Sequence, residues 1–311
     1  MELLSKDPIL EDLFFKAHGD EIVTIFSQIY TPGTYEWIPA DSYEKYTENF
    51  NKHSRNKDST YFRSLLFYKD NPIEYNINEY GFRDDPLDTK PQEVDVYLGC
   101  SFSFGIGNHL EHVWTYKLQK YLNFPNINAS VPGTGVITHY RMLVMLSKKY
   151  KIRNVFHFTD FEQPRIEWFK EVLNETKFNK SKYHNLLPTD ETVTPEQVEN
   201  MFNDRNITLM QHLCKYAIKG FCENANINLY TVYKSDTDRF NATYRPYSST
   251  KDNPLISILP EFSFDSKNLN FLARDLSHLS IQRQHFVYLD FLTKLGVNIF
   301  NKNVKMQDSL I

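Results

Sequence analysis

Long apolar runs are missing from this 311-residue chain: no stretch approaches the ~18 consecutive apolar residues of a membrane-crossing helix. A basic excess is missing too. Lys and Arg number 35 against 39 Asp and Glu, a net charge of −4. No surplus of cations is therefore available to neutralise a phosphate backbone, which argues against nucleic acid as a partner. Cysteine is scarce. Its three copies (Cys100, Cys214, Cys222) make no disulfide framework. Cys214 and Cys222 fall in one predicted helix, about 12 Å apart along its axis, too far to bridge. The opening "MELLSKDPILEDLFFKAHGDEIVTIF" lacks both the basic start and the unbroken apolar core of a signal peptide. A cytoplasmic or virion-associated protein is expected.

What the chain does have is aromatic residues, 24 Phe and 20 Tyr, which should dominate its core and line any pocket. Hydrophobic residues at 41% and charged residues at 24% are ordinary for a globular protein. The pattern changes near residue 92. Residues 1–92 are rich in Tyr, Asn, Pro and charge and read as an irregular N-terminal extension: a helix near 8–30, then loops and one or two short strands. Residues 93–311 alternate strand and helix. Strands are predicted at 94–98, 124–130, 154–158, 227–233 and 254–262. Helices are predicted at 113–122, 135–150, 165–173, 194–202, 206–225 and 280–295. The alternation predicts an α/β fold: a three-layer α/β/α sandwich on a mostly parallel, flavodoxin-like five-stranded sheet.

In such a sheet, ligands bind beyond the carboxyl ends of the strands. Ser101 stands there after the first strand, Gly133 after the second and Thr159 after the third. Asp275 and His278, in "ARDLSH", precede the last helix. These residue types fit acyl transfer. A serine hydroxyl attacks only when a histidine takes its proton, and the histidine needs an acid to fix its tautomer. Asp275 and His278, three residues apart, can supply that pair on one turn. The backbone amides of Ser101 and Gly133 are candidate donors to the oxyanion.

The run "LGCSFSFGIG" resembles the first block of the GDSL/SGNH hydrolase family, usually Gly-Asp-Ser-x-Ser/Thr. "NASVPGTG" resembles the second block, which carries the oxyanion glycine, and "DLSH" the final Asp-x-x-His block. The resemblance runs from residue 93 to about 296. It implies a serine esterase with Ser101 as nucleophile, His278 as base then acid, Asp275 orienting His278, and no cofactor or metal. The substrates implied are small acyl esters, such as O-acetylated carbohydrate or short-chain lipid esters. Two positions depart from the family pattern. Cys100 replaces the Asp beside the nucleophile. Thr159, in "HFTD", stands where Gly-x-Asn-Asp would place the oxyanion Asn, whose loss typically lowers turnover on the order of 100- to 1000-fold.

Other readings compete. The same triad can transfer an acyl group to a sugar hydroxyl, and a weakened site can serve as a binding or structural module, for instance in a virion. Ser101 can be an ordinary turn serine. Cys100, as nucleophile, would at a strand end face opposite to Ser101. The glycines at 99, 105 and 107 lack the order of a phosphate cradle. His109 and His112 form an H-x-x-H pair with no obvious third ligand, so no metal is expected. His139, His157 and His285 read as packing or surface residues. Arg165 and Arg274 meet either a substrate carboxylate or a neighbouring acid, and pairing with an acid is favoured.

Overall fold

The computed structural model describes residues 32–159, 166–169, 183–186, 204–233 and 271–297. They fall into two compact units. One takes in Asn76–Cys100 and Pro125–Leu229, the other Tyr35–Tyr75, Ser101–Phe124 and the described residues from Tyr230 onward. In chain order the strands are β1 (Gly33–Tyr35), β2 (Tyr75–Ile77), β3 (Glu93–Leu98), β4 (Asn126–Asn128), β5 (Lys151–Thr159), β6 (Ile166–Phe169), β7 (Tyr183–Leu186) and β8 (Asn228–Tyr233). The helices are α1 (Tyr43–His53), α2 (Thr60–Asp70), α3 (Ser101–Phe104), α4 (Trp114–Leu122), α5 (Val136–Lys149), α6 (Asp204–Asn224) and α7 (Ile281–Lys294).

The first unit is α/β, organised on β3. Val96 lies opposite Ile127 of β4 and opposite Val155 of β5, both pairings parallel, and the sheet order is β4-β3-β5-β8. Every residue from Val94 to Leu98 is buried, as in a parallel strand covered on both faces. Asp95 would be costly there without partners. Arg153 grips its carboxylate through Nε at 3.0 Å and Nη2 at 2.7 Å, and Asn154 Nδ2 adds a third donor at 2.9 Å. Met142, Leu143 and Leu146 of α5 and Ile218 and Cys222 of α6 join Val94, Val96 and Leu98 in one apolar cluster. Each fully buried aliphatic side chain of this kind contributes about 1.5–3 kcal/mol.

The expected strand and helix alternation is thus present from β3 through α6 and β8, and α7 closes the described chain. Four strands form the sheet among the described residues. The fifth strand expected at 254–262, and the helices expected at 8–30 and 194–202, lie outside the described residues. One expectation is corrected. Instead of a helix over 165–173, Ile166–Phe169 forms β6, antiparallel to β7 with Ile166 opposite Leu186. The run Ile-Glu-Trp-Phe is β-branched and aromatic, and so short an apolar run fits either period until a partner strand decides.

The second unit is helical. Residues 43–53 and 60–70, read from the sequence as loops and strands, are α1 and α2. Their capping serines mark the starts: Ser42 accepts from the Lys45 amide and Ser59 from the Phe62 amide. Ser280 caps α7 in the same way, accepting from Arg283 N. Trp114, at the start of α4, stacks on Phe291 of α7 with ring centroids 4.6 Å apart. The polar edge of this contact is satisfied as well, since Trp114 Nε1 donates to Ser103 Oγ at 3.2 Å.

Candidate active site

Ser101 opens α3 three residues after β3 ends, and it is only 4% exposed. Its carbonyl accepts from the amides of Gly105 (3.0 Å) and Ile106 (3.2 Å), closing the short helix. Gly105 and Gly107 then turn the chain with φ of 81° and 71°, a conformation that glycine adopts without Cβ strain. Gly107 needs to be glycine for a second reason. A Cβ there would lie 2.9 Å from Ala273 Cβ, 2.9 Å from Arg274 N and 3.0 Å from Asp275 Oδ1. The glycine cluster after Ser101 therefore lets this loop lie directly against the segment that carries Asp275.

Hydrogen bonds fasten the two segments. Arg274 N donates to Gly107 O at 2.8 Å, and Asn108 Nδ2 donates to Leu279 O at 2.9 Å. Gln284, on α7, donates through Nε2 to Phe102 O at 2.8 Å. His278 meets the same loop through its ring, edge-on to Phe102 with centroids 5.7 Å apart. Ser101 Oγ and His278 share no hydrogen bond among the described residues, and such bonds often tighten only when substrate binds.

Asp275 and His278 form a pair with a defined direction. His278 Nδ1 lies 2.6 Å from Asp275 Oδ2, and the Asp275 side chain is fully buried. Burial alone would push the Asp275 carboxyl up. The hydrogen bond and charge of His278, the Ser277 hydroxyl and the charge of Lys45 outweigh it and hold the carboxyl at about 2. An ionised carboxylate only accepts, so Nδ1 carries a proton toward it, and in the neutral form of the ring the lone pair falls on Nε2. The other oxygen, Oδ1, accepts from the amides of Ser277 (3.3 Å) and His278 (3.2 Å). Between the pair, Leu276 holds φ at 61°, an uncommon conformation for a branched side chain. The tight turn thus depends on the contacts of Asp275.

Residues 36–75 supply partners that the sequence did not reveal. Lys45 Nζ lies 3.4 Å from Asp275 Oδ2 and 3.3 Å from Ser277 Oγ. Arg274, fully buried, pairs with buried Asp41 through Nε at 2.9 Å and Nη2 at 2.8 Å, and its guanidinium stacks over Trp37 at 3.7 Å. Arg274 therefore meets a protein acid, as expected. Tyr75 completes the network, donating to Asp41 Oδ2 at 2.6 Å while accepting from the Gly107 amide at 2.8 Å. Arg165 lies outside the described residues.

Gly133 and Thr159 belong to the first unit. Gly133 turns the chain after β4 with φ of 80°, and Thr159 is the buried last residue of β5. Thr134 Oγ1 donates back to Val131 O at 2.6 Å, and Val131 N donates to Gly99 O at 3.1 Å. The turn after β4 is thereby tied to the chain leaving β3. Thr134 Oγ1 also lies 3.2 Å from His139 Nε2, and His139 Nδ1 lies 3.0 Å from His157 Nε2. Burial first, then the charge of Lys215, draws His157 down to about 3, so it is neutral at ordinary pH. These two histidines are buried packing residues with a polar link to the turn.

No family model and no curated protein matches this chain. Among solved structures, a mutant of an acetyl-xylooligosaccharide esterase from Geobacillus Stearmophilus is similar at 12% identity and a TM-score of 0.29. The match covers 68% of this chain and 97% of that one. A likeness of that size transfers no role to any residue. No helix among the described residues is long and apolar enough to cross a membrane.

Proposed function

We propose that this chain is a serine-dependent ester hydrolase in which Ser101 attacks, His278 moves the proton and Asp275 orients His278. The supporting observation is the buried, ionised Asp275 holding Nδ1 of His278 at 2.6 Å, with the imidazole ring against the residue next to Ser101. In the first half-reaction Ser101 Oγ adds to the ester carbonyl as His278 Nε2 takes its proton. The tetrahedral intermediate collapses, and the same proton passes to the departing alcohol. Water then enters, gives its proton to Nε2 and releases the acid, and the proton returns to Ser101. Asp275 stays ionised throughout and stabilises the imidazolium.

The resemblance to GDSL/SGNH hydrolases assigns the oxyanion donors to the amides of Ser101 and Gly133, with the Thr159 hydroxyl in place of an Asn amide. The strand and helix alternation supports a three-layer sandwich for this domain, and the change of pattern supports its boundary near residue 92. Small acyl esters, such as O-acetylated carbohydrate or short-chain lipid esters, fit a nucleophile that is only 4% exposed. A panel of p-nitrophenyl esters and acetylated sugars, run on the wild type and Ser101→Ala side by side, tests the reading. Turnover of short acyl chains that vanishes in Ser101→Ala is expected. Equal turnover in both proteins sinks the assignment.

A further inference from the structure

We propose that His109, Glu111 and His112 form a binding site for a divalent first-row cation of the zinc type. The sequence offers only the two histidines. The structure adds the carboxylate: one ligand atom from each of the three residues lies within 4.8 Å of the others. The local backbone explains the clustering. Leu110–His112 is a 3₁₀ turn that starts from His109, closed by His112 N donating to His109 O at 3.1 Å. At three residues per turn, positions i and i+3 eclipse, so the two imidazoles rise from one edge of the turn. Their ring centroids are 6.0 Å apart, and Glu111 sits beside His112 with its side chain exposed.

His109 is also prepared as a ligand. Its Nε2 faces two carbonyl oxygens, Asn71 O at 3.1 Å and Pro72 O at 3.2 Å. Carbonyls only accept, so Nε2 carries the ring proton and Nδ1 presents a lone pair. This is the backing that orients metal-bound histidines. Phe67 and Tyr68 hold the ring from the side, with centroids 5.8 and 5.5 Å away. Ligand atoms on a tetrahedral ion with bonds of about 2.0–2.1 Å stand about 3.4 Å apart, so closure asks for side-chain movements of only about 1.4 Å. Two imidazoles and one carboxylate suit zinc and its neighbours better than calcium or magnesium, which take all-oxygen shells. Three protein ligands leave a fourth position to water.

A bound ion would tie the turn at 109–112 to the end of α2 through His109, and so should stiffen the segment that follows Ser101. The test is calorimetric titration of Zn2+ into the chelator-treated full chain, repeated on Glu111→Gln and His109→Gln. One ion per chain is expected, with a dissociation constant of about 1–10 µM, weaker than closed four-ligand sites. Both variants should weaken binding at least tenfold. Co2+ added in place of Zn2+ should give the visible absorption of a low-coordinate ion. Glu111 is exposed, so its variant should fold even if a histidine variant does not. No saturable uptake of Zn2+ by the wild type up to about 100 µM, or binding by Glu111→Gln equal to the wild type, overturns the proposal.

Discussion

Gly107→Ala should be among the most damaging single-methyl additions to this protein, and two other glycines calibrate why. At Gly107 the new methyl meets rigid neighbours at 2.9 Å, a backbone nitrogen and the Cβ of Ala273, in a backbone at φ +71°. The left-handed conformation costs about 1–2 kcal/mol for an L-residue, and overpacking adds about 1–3 kcal/mol. Gly296 has the same kind of backbone, φ +79°, with nothing within 4 Å of its Cβ position. Gly296→Ala should therefore cost only the first amount. Gly220, inside α6, also has open space around its Cβ position. Gly220→Ala should stabilise by about 0.5–1 kcal/mol. Urea unfolding followed by tryptophan fluorescence separates Gly107→Ala from Gly296→Ala, because Trp37 and Trp114 lie in the same unit as both, and far-ultraviolet circular dichroism follows Gly220→Ala in the other unit. If Gly107→Ala loses no more stability than Gly296→Ala, the close contact between the Ser101 loop and residues 273–275 is wrong.

Three further expectations follow from the same unit and its neighbour. Asp275 holds its carboxyl at about 2 against an ordinary 3.8. That difference contributes on the order of 2–3 kcal/mol of stability, fully present above pH ~4 and lost as pH falls through ~2. Asp275→Asn should lower the neutral-pH stability by roughly that amount and flatten the acid limb of the melting-temperature profile; an unchanged limb would exclude Asp275 as its cause. Arg274→Met leaves Asp41 buried without its cation and should cost about 3–5 kcal/mol, with partial recovery on adding Asp41→Asn; additive costs in that double-mutant cycle would mean the pair is not coupled. Thr159→Val should lower kcat with little change in KM if the hydroxyl donates to the oxyanion, and a kcat within about twofold of wild type removes Thr159 from that role.

Periodic segments were the legible part of the fold. Val94, Val96 and Leu98 recur at the strand period of two, and α5 and α6 carry apolar residues at helical spacing, so for these residues burial and local pattern agree. The segment 43–53 is dense in Tyr, Asn and charge, while 60–70 mixes Tyr, Phe and Leu with charge, and mean hydropathy is below zero in both. Their helices are visible chiefly in the capping serines, Ser42 and Ser59, a weaker signal than an apolar stripe. For Ile166–Phe169 the partner strand made the decision, and no local pattern encodes a partner.

The same distinction holds at the candidate site. Asp275 and His278 are three residues apart, so their hydrogen bond is a local matter that a spacing can suggest. Arg274 and Asp41 are 233 residues apart and Lys45 and Asp275 are 230 apart. Such pairs exist only once the chain has folded, and neither Asp41 nor Lys45 carries any mark in its own neighbourhood. Gly107 lies between these cases. A glycine in a Gly-rich run is a local sign of a turn, but the reason a methyl cannot fit is the distant Ala273–Asp275 segment.

The most direct test of the account is covalent. A fluorophosphonate probe adds to a serine only where a neighbouring base activates it, so labelling reports the triad without any choice of ester substrate. The account predicts one phosphonylated residue per chain, mapped by peptide mass spectrometry to Ser101. His278→Ala should slow labelling by at least about 100-fold, within the range expected for loss of a general base. Absence of labelling in the folded wild type, or a label on any residue other than Ser101, would contradict it.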